Sequence, residues 1–402
     1  MLSDLFVRNF RCFAEAKVEL HPDVTLLVGR NAQGKTSLIE AACVLMRLQS
    51  PRTTIRGELV RFEASTCLVE AVWSGKRLRY AQNATSRRLA LDGVTCGKSA
   101  DYLAAAGLVV WMDHRDMNLL RGGAEHRRRF LDFAASQMFP DYLHALRGYE
   151  RALRGRNYVL KRDAAIAWKQ ADAFARVMDS FAAVLWQRRA ELCEALNPQV
   201  SAAHAHLSEG AESTRIAFTN TFEAGSLFEA LAGMREEESK SRSTAFGPHR
   251  DDIAMFLNDR DATTFASEGQ QRSFALSMKL AQAHVLEKAR GEAPLMLIDD
   301  VFGELDAHRR RALLSLLPNG TQKIITTTNL DWAEKDALSG LVHAVIHLIH
   351  HPAQRIFFRP VEIRRRDDLL RAIRQQTQQR PATKGIQFAE HIVDQHQRCL
   401  AV

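Results

Sequence analysis

The segment Gly29-Arg30-Asn31-Ala32-Gln33-Gly34-Lys35-Thr36 has the residue types and spacing of a phosphate-binding loop. Its glycines let consecutive backbone N–H groups turn toward one anion, and a helix opening at the lysine adds unsatisfied donors of its own. Lys35 can reach the β- and γ-phosphates of a nucleoside triphosphate such as ATP. The Thr36 hydroxyl can enter a Mg2+ shell, and Ser37 completes the loop. Far along the chain, the apolar run Pro294–Ile298 ends in Asp299 and Asp300. A carboxylate at a strand tip beside the phosphates can hold the metal shell, the role expected of Asp299, which leaves Asp300 to orient and polarise the attacking water. Ser267-Glu268-Gly269-Gln270 opens another helical pattern, and its hydroxyl and backbone N–H groups form a second anion-binding device. Because one chain already has a phosphate loop, this device gains a purpose by serving the nucleotide of a neighbouring subunit. Asp306 is read as a helix cap and, without excluding that, as a contact between paired sites.

These groups need elements to hold them. Val24–Val28 is β-branched and aliphatic and predicts a buried strand, followed by a helix from about Ser37. Residues 1–29 read as strands. Residues 66–95 read as a small sheet with an Asp92-Gly93 turn. No proline occurs between Asp141 and Asn197, where Phe174, Met178, Phe181 and Leu185 make one helical stripe that Leu192 and Leu196 extend. Strand character returns at Thr214–Phe218, and the charged stretch Met234–Arg242 predicts a solvated loop or helix end. Beyond Gly247-Pro248, Leu276, Leu280 and Ala283 share a helical face, and Gln322–Thr328 reads as a buried strand ending in hydroxyls.

The expected fold is therefore α/β: a P-loop ATPase core with an inserted helical arm and a small N-terminal β-rich subregion. Residues 1–125 form the first part of the head, 126–245 the arm, 246–350 the second part, and 351–402 a weakly ordered tail.

The 402 residues are 46% hydrophobic and 25% charged, ordinary for a globular protein, with a formal net charge of +8 that favours an acidic partner. The tail contributes ten Lys/Arg against five Asp/Glu, together with eight glutamines. Six scattered cysteines show neither CxxC nor metal-ligand spacing. With no signal-peptide pattern and no apolar stretch of membrane-spanning length, the expectation is a cytoplasmic protein without membrane contact.

The order of motifs resembles the ATP-binding-cassette class and, within it, the SMC-like RecF family of bacterial recombination proteins. The resemblance is carried by Leu5–Phe13, the loop with Ser37–Ala41, Arg127–Asp132, Gly247–Asp252, Ser267–Arg272 and Asp299–Asp306, spanning about residues 1–345. It implies ATP-dependent dimerisation on DNA, each nucleotide held between the Lys35 loop of one subunit and the Ser267–Gly269 segment of the other. It further implies recognition of gapped or single-strand/duplex junction DNA. RecO and RecR proteins would be partners, with RecA loaded downstream, and slow hydrolysis would reset binding. Two positions depart from the broader pattern. Thr326–Thr328 stand where a γ-phosphate-sensing histidine is usual, and Trp111–Asp116, the region of a nucleotide-sensing loop, lacks the family's proline.

Two basic sets are candidates for nucleic-acid contact: Arg127, Arg128 and Arg129, and along the arm Arg151, Arg154, Arg156, Lys161 and Arg162. Arginine's planar fork suits phosphate, and the arm set is favoured. His249-Arg250 beside Asp251-Asp252 reads as a structural or nucleotide-proximal network and not a DNA site, with no metal partners for His249. The competing functions are a transporter ATPase subunit, which would need a membrane partner, and an ATP-controlled scaffold that does not touch DNA.

Overall fold

The computed structural model describes residues 1–220, 226–328, 344–350 and 356–362. At its centre lies a sheet in the spatial order Ile356–Glu362, Ala344–His350, Val24–Val28, Lys323–Thr327, Leu295–Asp299, Val109–Asp113. All neighbours are parallel except the Ile356–Glu362 edge strand. Parallel strands are covered on both faces, so they read as unbroken apolar runs, and alternate side chains enter two separate cores. Leu27, Val109, Trp111, Leu295, Leu297 and Ile324 face the helix Lys35–Arg47. Leu26, Val110, Met112, Met296, Ile298 and Ile325 face Leu276, Leu280 and Ala283 of the helix Glu268–Arg290.

The helix Lys35–Arg47 is buried along nearly its whole length, because an antiparallel sheet closes over its other side. That sheet runs Phe13–Val18, Leu2–Phe10, Thr66–Trp73, Lys76–Asn83, Arg87–Leu91, Val94–Thr95. It is the β-rich subregion expected from residues 1–29 and 66–95.

The helical lobe is built on Ala124–Met138, Tyr142–Arg162 and Trp168–Leu207. Met178, Leu185, Leu192 and Leu196 are fully buried, and Phe174 and Phe181 pack against the same core. Gly148 and Gly155 permit the close crossing of the last two helices: a Cβ at either would lie 2.4–2.5 Å from the rings of Phe181 and Phe174.

Met234–Arg242 carries the helix Arg235–Ser241, solvent-facing as expected for a helical segment there, except that Glu238 is buried with Arg156. Two expectations need correction. The lobe does not end at 245, because Asp252–Leu257 pairs antiparallel with Thr214–Thr219 and sends Ile253, Met255 and Leu257 into the lobe core. The stretch expected as tail from 351 contains Ile356–Glu362, a strand of the central sheet. Residues 363–402 lie outside the described residues. Among the described residues, Cys12, Cys43, Cys67, Cys96 and Cys193 are free thiols, and no helix is long and apolar enough to cross a membrane.

Candidate nucleotide site

Parallel pairing brings the C-terminal tips of four strands to one edge, with Thr327 beside Val28 and Asp299 between Thr326 and Asp113. Ligands of open α/β sheets bind at this edge, where helix N-termini and loops converge. The chain leaves Val28 through residues 29–34 and enters the helix at Lys35, with Gly34 left-handed at φ +93°. That conformation suits glycine, and space demands it too: a Cβ on Gly34 would lie 2.8 Å from Phe13 Cζ and 2.9 Å from Cys12 Sγ. The turn carrying those residues is held by Arg11, which donates to Glu40 (2.6 and 3.0 Å). Glu40, fully buried, also accepts from Arg52 (3.0 Å) and Ser50 (2.6 Å).

Lys35 Nζ donates to the carbonyls of Gly29 (2.6 Å) and Arg30 (3.0 Å), which aims the ammonium into the loop. Burial lowers its pKa, and the fields of Asp300 and Asp299 oppose the shift. Thr36 Oγ1 donates to Asp299 Oδ1 at 2.9 Å, and Thr326 Oγ1 donates to the same oxygen at 2.7 Å. A hydroxyl and a carboxylate this close are the two protein ligands that a Mg2+ ion accepts beside phosphate oxygens and water, so the donor set fits that ion. Asp300 has a left-handed backbone (φ 54°), and its N–H donates to Thr326 Oγ1 at 3.0 Å and to the Thr326 carbonyl at 3.2 Å. Burial raises its carboxyl pKa, opposed by Lys35 and assisted by Asp299 and Glu304. A raised carboxyl beside a second carboxylate suits proton acceptance from water.

Residues 113–116, in the region expected as a nucleotide-sensing loop, sit against this edge. Asp113 and Asp116 form a reciprocal cap on the short helix His114–Met117, and Lys279 Nζ reaches Asp116 Oδ1 (2.9 Å) and the Trp111 carbonyl (2.9 Å). Arg115 clamps Asp113 and feels the field of Asp299. Burial pushes Asp116 up to about 6, with Lys279 pulling against it. The Asp-x-x-Asp spacing was the readable signal. The role of Lys279 was not readable, because only packing brings it there.

Ser267 caps the helix Glu268–Arg290 reciprocally with Gln270, and its side chain is exposed. Gln270 Nε2 donates to Glu212 Oε1 (2.8 Å), whose other oxygen meets His204 Nε2 (2.7 Å) on the long lobe helix. Asp306 caps the helix Ala307–Ser315 and pairs with Arg309, and Arg309 Nε donates to Ser273 Oγ at 3.0 Å. The cap reading of Asp306 therefore holds, and Arg309 links it to the Ser267 helix. Gly269 lies one turn from that serine.

The basic sets divide. Arg127 is buried, forks onto Asp252 (2.6 and 2.8 Å) and donates to the Leu119 and Gly122 carbonyls. Arg156 is fully buried and forks onto Glu238 (2.6 and 2.7 Å). Neither guanidinium can reach a phosphate backbone, which corrects the expectation for both. Arg128 donates to the Asp251 carbonyl (2.7 Å). Arg129, Arg151, Arg154, Lys161 and Arg162 remain solvent-facing. His249 is a satisfied structural histidine, bonded to Tyr149 Oη (2.7 Å) and the Thr244 carbonyl (3.0 Å).

The AAA ATPase domain family matches residues 1–66. The chain is 32% identical over 350 residues to the DNA replication and repair protein RecF of Halalkalibacterium halodurans, covering 83% of this chain and 94% of that one. It is 32% identical over 349 residues to that of an Exiguobacterium species, covering 82% and 93%. Among solved structures, the recombination mediator protein RecF with ATP superposes with a TM-score of 0.77 at 26% identity, over 89% of this chain and 97% of that chain. A Smc head bound to the C-winged helix domain of ScpA shares the fold, at a TM-score of 0.53 and 15% identity over 90% and 98%. Sequence, length and architecture agree: the chain belongs to the RecF family of DNA replication and repair proteins.

Proposed function

We propose that the protein is an ATP-dependent, DNA-binding dimeric clamp that acts at gapped or single-strand/duplex junction DNA and, with RecO and RecR, promotes loading of RecA. The loop Gly29, Arg30, Asn31, Ala32, Gln33, Gly34, Lys35, Thr36 and Ser37 cradles the triphosphate, with Lys35 on its outer phosphates. Thr36 and Asp299 hold Mg2+, which supplies charge neutralisation when bound. Asp300 orients the water and accepts its proton, and hydrolysis is slow. Ser267, Gly269 and Gln270 of the partner subunit complete the pocket, with Asp306 near the seam. Exposed Arg129, Arg151, Arg154, Lys161 and Arg162, with half-buried Arg128, supply phosphate contacts, and the protein works in the cytoplasm on the nucleoid.

The observation that carries this reading is the exposed, fully formed cap at Ser267. It is an anion-binding helix start whose neighbour Gln270 is tied to Glu212, within a chain that already has a complete phosphate loop. The test is a solution mass measurement of Asp300→Asn with ATP and Mg2+. A dimer that Ser267→Arg abolishes is expected, with ATP affinity retained by the Ser267→Arg monomer. A persistent Asp300→Asn monomer at saturating nucleotide would refute it.

A further inference from the structure

The outward face of the helix Tyr142–Arg162 is basic from Arg147 onward. Arg147, Arg151, Arg154, Tyr158 and Arg162 follow one another at intervals of four, three, four and four, opposite the buried Tyr149, Ala152 and Val159. The stripe spans about 22 Å at 1.5 Å per residue. Its few carboxylates are local: Glu150 lies 3.9 Å from Arg154, and Asp163 2.7 Å from Arg162. Burial and then the fields of Arg147 and Arg56 lower the pKa of Arg87, and burial and then the field of Arg56 lower that of Arg147, with Glu150 opposing. Like charges gathered in this way repel one another in the free protein, and a polyanion relieves that repulsion.

Tyr158 is the unusual member. It is 63% exposed in a row of arginines, and the Arg162 guanidinium lies 5.9 Å from its ring centroid. Arginines alone suffice to track a duplex backbone, whose bases are stacked away. An outward aromatic ring between cations instead offers a platform for an unpaired base.

We infer that this helix face binds single-stranded DNA, its phosphates running along Arg147, Arg151 and Arg154 while an unpaired base stacks on Tyr158. The inference rests on the DNA-binding reading above and assigns the strand and the residues that hold it. The two double-strand tracks of a gap are then left to other surfaces.

The test is fluorescence anisotropy of the full chain, with ATP and Mg2+, on a labelled oligothymidine and on a blunt duplex of equal length, at several salt concentrations. Tyr158→Ala is expected to weaken oligothymidine binding between about fivefold and about a hundredfold while changing duplex binding less than about twofold. Tyr158→Phe keeps the ring and should bind like the parent. Arg151→Gln with Arg154→Gln should reduce the single-strand salt slope by about 1.4, two contacts at about 0.7 each. Unfolding curves that match the parent establish that the variants fold. Unchanged oligothymidine binding by Tyr158→Ala, or equal losses on both ligands, would overturn the inference while the parent's DNA binding stands. A parent that binds neither ligand would sink the DNA-binding reading with it.

Discussion

Arg156 separates a surface reading of the arm from a buried one. Its guanidinium and the Glu238 carboxylate are both essentially inaccessible and share two hydrogen bonds of 2.6 and 2.7 Å, with Thr244 Oγ1 accepting a third at 3.0 Å. Glu238 also accepts from the Ala245 N–H at 3.0 Å, so the pair pins the helix Arg235–Ser241 to the arm. Arg156 Nε is buried without a hydrogen-bond partner, a cost the pair already bears. Glu238→Gln leaves an uncompensated buried cation, and Arg156→Met leaves an uncompensated buried carboxylate. Each is expected to destabilise the protein by about 3–5 kcal/mol. Arg156→Met with Glu238→Met removes both charges and should recover to within about 2 kcal/mol of the parent, giving a large coupling energy in the double-mutant cycle. The assay is urea unfolding of the four proteins, alongside DNA binding at a temperature where all are folded. A normally stable Arg156→Met that loses DNA affinity would refute the buried-pair argument and restore Arg156 to the phosphate-contact set.

Further predictions follow from the site and its supports. Gly34→Ala adds about 2–4 kcal/mol of local strain from its left-handed backbone and the contacts with Phe13 and Cys12. Calorimetric titration with ATP should show binding lost while the circular dichroism spectrum is kept. His249, held by burial at a pKa of about 4 against an ordinary 6.5, is folded in its neutral form. The unfolded chain binds the proton more readily, so this group's stabilisation is complete above pH 6.5 and is lost as pH falls toward 4. Between pH 7 and 5 that amounts to about 2 kcal/mol. Comparing urea midpoints of the parent and His249→Gln isolates it, and identical pH slopes would contradict the assignment. Glu212→Ala removes the acceptor of Gln270 and the partner of His204. It should weaken ATP-dependent dimer formation in ultracentrifugation without altering the nucleotide affinity of the monomer.

Much of the nucleotide site was legible because its chemistry is local. A phosphate loop must sit between a strand and a helix, so Gly29–Thr36 announce themselves, and an apolar run ending in two aspartates announces a strand tip. The Ser267–Gln270 segment was readable as a serine and backbone N–H groups opening a helical pattern, and the stripe Phe174–Leu185 through helical periodicity. The basic residues were harder. A row of arginines on a helix looks alike whether it faces water or a buried carboxylate, and Arg156 lies only two residues beyond Arg154 on the opposite side of the turn. Its partner Glu238 is 82 positions away, within a run whose charge suggested solvent.

By itself the sequence determined the element types and the chemistry at the strand tips, because backbone propensity, apolar periodicity and loop composition act over a few neighbouring residues. Tertiary structure decided which distant groups meet: Thr36 with Asp299, Lys279 with Asp116, Gln270 with Glu212, and Arg127 with Asp252. It also decided which cations keep their charge in water. Burial and ion pairing depend on how sheets and helices pack in three dimensions, and no short window of residues encodes that.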